Sequence, residues 1–171
     1  MARCVFFSFH YQRDIFRVNT VRNHFLTKGG YSISGYQDRS LWEKAKTSNP
    51  LALKRMINRA LEGTTVTVVL IGAETADRPW VKYEIEKSLE RGNGLLGIYI
   101  YNIRHAVTKQ TDFKGKNPFD RYAIAQPSPS LHTVDVQRMA SNLYPTYDWV
   151  LDRGYNNFSM WVEKAAKAAG K

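Results

Sequence analysis

The chain has 171 residues, with 43% apolar, 13% aromatic and 23% charged side chains, which suits one globular domain over 1–171 and excludes a largely disordered or fibrous chain. Against 15 Asp and Glu stand 25 Lys and Arg, a net charge of +10, yet the basic residues are scattered with no run of five. That pattern fits solvated helix faces, or a field drawing in a small phosphorylated ligand, better than it fits nucleic acid. The longest apolar stretches, 66–73 and 94–101, are far below the roughly 20 residues of a membrane-spanning helix.

In chain order, residues 3–9 form a short apolar and aromatic run, the profile of a strand buried on both faces and hence of a central strand. Cys4, the single cysteine, excludes an internal disulfide and is expected to fill core space. No apolar signal-peptide core precedes this strand, so the expected location is cytoplasmic. From Asp14, Ile15, Val18, Val21 and Phe25 recur at helical spacing as far as Gly29 and Gly30. A short second strand is expected at 31–35, and a long polar loop at 36–50. Leu53, Met56, Ile57, Ala60 and Leu61 mark a second helix closed by Gly63, and 66–71 is the most β-prone stretch of the chain. Polar residues 74–78 and Pro79 then suit the start of a third helix running to about Arg91, followed by a fourth strand at 95–100. Residues 101–141 have no clear period, and most of the segment reads as a long loop insertion. A fifth, edge strand is expected within 144–150 and a closing helix over 157–169.

Four strands alternating with three helices predict an α/β fold: a parallel sheet of about five strands, order 2-1-3-4-5, with helices on both faces. In such flavodoxin-like sheets the ligand crevice lies beyond the carboxyl ends of strands one and three, where the order reverses. Ser8, Phe9 and His10 lie at one of those ends and are candidate substrate contacts, although a serine there can also satisfy nearby backbone. The third helix starts at the other, so Trp80 and Glu84 can line the same crevice. At about 100° per residue Val81, Ile85, Ser88 and Leu89 form the inner stripe of that helix, and Glu84 falls about 60° from Val81. Trp80 is four residues earlier, so indole and carboxylate share one wall.

An aromatic plane beside an acid suits cleavage of a glycosidic bond, in which positive charge develops on the sugar. At about 4 Å and an effective dielectric of about 20, one carboxylate contributes roughly 4 kcal/mol. That is of order a thousandfold in rate. The same spacing also fits a solvated helix acid paired with Lys87 or Ser88. Neither a Gly-x-Gly-x-x-Gly loop nor a phosphate-binding P-loop occurs, and the four histidines lack metal-ligand spacing, so no redox cofactor and no metal are expected. For Asn117 to Asp120, a turn held by Pro118 and Phe119 and a flap over the pocket are both open.

Residues 5–9, 69–72 and 80–85 resemble the first strand, third strand and Trp-Cys-x-x-Glu helix of TIR domains, with Gly72 where the family usually has serine and Val81 where it often has cysteine. Residues 6–12, 40–43, 117–120, and 147–150 followed by 154–156, are similar, in that order, to the TIR-like ThsB family of the bacterial Thoeris anti-phage system. This resemblance implies Glu84 as the catalytic residue, Trp80 as a pocket wall, and Asp38 and Trp42 as contributions from the loop after strand two. It implies NAD as a substrate rather than a cofactor. The product would be a cyclic ADP-ribose isomer, a messenger that activates a separate NAD-depleting effector once a phage-derived trigger is sensed, with self-association on activation also open. The other reading is a non-catalytic TIR module that only binds further TIR domains.

Overall fold

A computed structural model describes residues 3–27, 31–34, 49–126 and 136–171. It gives β1 (Arg3–Phe9), α1 (Tyr11–Thr27), β2 (Tyr31–Ser34), α2 (Pro50–Leu61), β3 (Val66–Ile71), α3 (Pro79–Glu90) and β4 (Gly94–Tyr99). There follow β5 (Ala123–Gln126), β6 (Val136–Met139), α4 (Ala140–Leu143), β7 (Thr146–Asp148) and α5 (Gly154–Ala168). The main sheet has the order β2-β1-β3-β4-β7 with every pairing parallel, so β7 is the fifth strand and the expected doubly wound order holds.

Alternation along the buried strands sorts side chains between two helical layers. Val5, Phe7, Val66, Val68, Leu70, Leu96 and Ile98 pack with Val18, Val21 and Phe25 of α1 and Phe158, Trp161 and Val162 of α5. On the opposite face, Val69, Ile71 and Leu95 meet Val81 and Ile85 of α3, while Phe6 meets Leu53, Ile57 and Leu61 of α2. Each of those fully buried aliphatic side chains is worth roughly 1.5–3 kcal/mol. The start of α2 is fixed locally: Asn49 Oδ1 accepts from the amides of Leu51 and Ala52 at 3.0 and 3.2 Å, and Pro50 takes the first helical position. Cys4 is half-buried at the start of β1 rather than deep in the core.

Three expectations need correction. The 101–141 segment is not all loop, because β5 and β6 form an antiparallel pair from Ala123↔Met139 to Gln126↔Val136, preceded by a 3-10 turn at Pro118–Arg121. Strands of four residues are too short to show a period, and their pairing spans the chain between them. Residues 74–77 form a 3-10 turn, Thr75–Asp77, instead of capping α3, whose N-terminus has no side-chain cap bond. Finally, α5 starts at Gly154, before the expected 157, and its first residue packs so close to Trp149 that a Cβ there would lie 2.4 Å from the ring.

Candidate active site

Ser8 shares the face of β1 that carries Phe6, so it projects toward α3 in an otherwise apolar layer and needs a polar partner there. It finds Glu84: Ser8 Oγ donates to Glu84 Oε2 at 2.5 Å, with Ser8 0% and Glu84 4% exposed. One helical turn on, Ser88 Oγ and Thr67 Oγ1 of β3 are 2.8 Å apart, and Ser88 also donates to the Glu84 carbonyl. Two hydroxyl-bearing strand residues thus match two polar positions on one side of α3. Lys87 pairs outward with Glu90, so Glu84 is not the solvated helix acid that the spacing also allowed.

The acid borders a cleft of about 210 Å³ at the carboxyl ends of β1 and β3, the reversal point of the sheet. Its walls are Phe6, Phe7, Phe9, His10, Tyr11 and Gln12 from β1 and the start of α1, and Arg78, Pro79, Trp80, Val81 and Glu84 from the start of α3. Glu84, Trp80, Phe9 and His10 are therefore brought together as the sequence suggests. The Trp80 ring is half-buried and meets Tyr83 edge-on at 6.2 Å. Ser8 lies behind the wall, on the acid. Asp38 and Trp42 lie outside the described residues. Phe119 is fully buried against Tyr144, and Asn117 Oδ1 accepts from its amide, so 117–120 is a packed turn and not part of the cleft.

Beside the cleft lies a charged layer that sequence reasoning missed. Arg13 spans Asp112, at 2.8 and 3.1 Å, and Glu74, at 2.8 Å, while Arg78 pairs with the other oxygen of Glu74. Arg17 donates to the Ile103 carbonyl at 2.9 Å and lies 3.6 Å from Asp112. Deeper still, Asp14 is 1% exposed, and burial pushes its carboxyl up to about 6, against the attraction of Arg17. These groups come from segments about a hundred residues apart, and no spacing rule connects them. The Asp14 carboxylate also explains Gly72, where a Cβ would come within 2.1 Å of it.

The family model for the Thoeris protein ThsB, TIR-like domain, matches residues 6–105, a span containing every wall of the cleft. The chain is 44% identical, over 194 aligned residues, to a Bacillus cereus (strain MSX-D12) protein named "Putative cyclic ADP-D-ribose synthase ThsB1". That match covers 95% of this chain and 100% of the relative. The chain belongs to the ThsB TIR-like family of Thoeris proteins.

Proposed function

We propose that the protein cleaves NAD at the nicotinamide glycosidic bond and closes the remainder into a cyclic ADP-ribose isomer, a messenger for a separate effector in anti-phage defence. The observation that carries this reading is a serine-tethered, almost fully buried glutamate in an aromatic-walled cleft at the sheet's reversal point. The name of the Bacillus cereus relative supports it.

In this reading the bond from the ribose C1′ to the nicotinamide nitrogen breaks, and its electron pair leaves with nicotinamide. Positive charge grows on the ribose, and Glu84 stabilises it at close range. Trp80 and Phe9 supply flat surface for the heterocycle, and His10 contributes a polar edge. Ser8 holds one carboxylate oxygen, so the acid does not reorganise as charge develops. A nucleophile of the same molecule then attacks C1′, and if it is a hydroxyl its proton passes to a base. Cyclisation over hydrolysis requires that water be kept from C1′, which Phe6, Phe9, Trp80 and Val81 favour. Loop residues Asp38 and Trp42 would complete the pocket, and self-association under a phage-derived trigger would switch it on.

Glu84→Gln preserves shape and removes the charge. It should lower NAD consumption by about a thousandfold or more, with folding and any self-association unchanged. Mass spectrometry of nucleotides after incubation with NAD, with and without infected-cell lysate, reads both loss and product. Equal consumption by wild type and variant rejects the assignment and favours the module that only binds other TIR domains.

A further inference from the structure

Arg78 is half-buried and borders the cleft next to Pro79 and Trp80. One end of its guanidinium is tied to Glu74, which is itself fixed by Arg13, and Arg13 by Asp112. Two arginines thus share the single carboxylate of Glu74. The Nε of Arg78 is enclosed and has no hydrogen-bond partner among the described residues. The side chain as a whole is 39% exposed and Glu74 engages only its Nη2, so the cation keeps donor capacity for a ligand's acceptor.

The space around Arg78 indicates which ligand group that is. A cleft of about 210 Å³ admits one nucleoside end of a dinucleotide and not both. A second cleft of about 380 Å³, lined by Lys54, Lys82, Tyr83 and Glu86, shares Pro79 and Trp80 with the first. A dinucleotide reaching from the first cleft into the second would cross the rim of Pro79 and Trp80, next in sequence to Arg78, which lines the first cleft. From these observations we infer that Arg78 binds the pyrophosphate of the substrate and so selects a dinucleotide over a simple nucleoside. This rests on the functional reading above. The guanidinium fork suits phosphate oxygens, and Glu74 holds it in place at one end.

The test is steady-state kinetics on wild type, Arg78→Gln and Arg78→Lys, with melting temperature as the check on folding. Arg78→Gln should raise the KM for NAD and the Ki of ADP-ribose by roughly ten- to a hundredfold, with kcat within about twofold. The Ki of nicotinamide riboside, which has no phosphate and is measured as a competitor of NAD, should stay unchanged. Arg78→Lys should fall between, since it keeps charge and loses the fork, and it carries the same comparison if Arg78→Gln does not fold. Equal weakening of nicotinamide riboside and NAD, or an unchanged KM in both variants, overturns the inference alone. A wild-type protein that neither binds nor consumes NAD even with infected-cell lysate present overturns the functional reading and this inference together.

Discussion

A single hydroxyl decides how well the acid is aimed. With Ser8 donating at 2.5 Å to Glu84 Oε2, the carboxylate plane is fixed by a strand rather than by solvent. Removing that donor in Ser8→Ala leaves the carboxylate and takes away its anchor on β1. A hydrogen bond to a charged group is worth about 1.5–3 kcal/mol, so kcat should fall roughly ten- to a hundredfold. The KM for NAD should stay nearly constant, because Ser8 is not on the cleft wall. A KM rise without a kcat loss, in the same kinetic experiment, would instead place the hydroxyl on the substrate. A helical angle of about 60° from Val81 put Glu84 at the border of the core and left burial and solvation both open. Its partner was not legible, since a strand-end serine has several local backbone acceptors and only the sheet-to-helix packing selects the acid.

Between elements, the segment after β4 is held against the crevice by close backbone contact. A Cβ on Gly115 would lie 1.9 Å from the Gly72 carbonyl, just past the end of β3, and Asp112 ties the same segment to α1 through Arg13. Gly115→Ala should therefore cost about 1–3 kcal/mol in urea unfolding. On the same segment Phe113 is 81% exposed, and Phe113→Ser should change stability by less than about 0.5 kcal/mol. Similar losses from both would mean that the segment is not strapped at Gly115. Such a contact leaves no periodic trace, which is why 101–117 read only as loop. By contrast, β1 and β3 were legible to the residue, because continuous burial forces continuous apolar runs. The charge chain from Asp112 through Arg13 and Glu74 to Arg78 was hidden for the same reason as the strap: its members meet only after folding.

For the molecule as a whole, Asp14 makes stability depend on pH in an unusual direction. Burial, with added repulsion from Asp112, moves its carboxyl from 3.8 up to about 6, so the folded state holds that proton more tightly than the unfolded chain. Its contribution is most favourable below 3.8 and is lost as pH rises toward 6, a change of roughly 3 kcal/mol. Asp14→Asn should abolish this slope. Its stability relative to wild type should climb between pH 4 and 6 and level off above, as read by urea unfolding at pH 4, 5, 6 and 7.5. A constant difference across that range would show that Asp14 does not titrate there. Among the described residues no helix is long and apolar enough to cross a membrane.

The outermost strands of the sheet are brief: β7 has three residues and β2 four. Each margin therefore offers a neighbouring polypeptide only a rung or two of main-chain bonding, too little to template fibre growth or strand exchange. Among the described residues, assembly at these two margins is accordingly left to surfaces of side chains, whose chemistry can be tuned one substitution at a time.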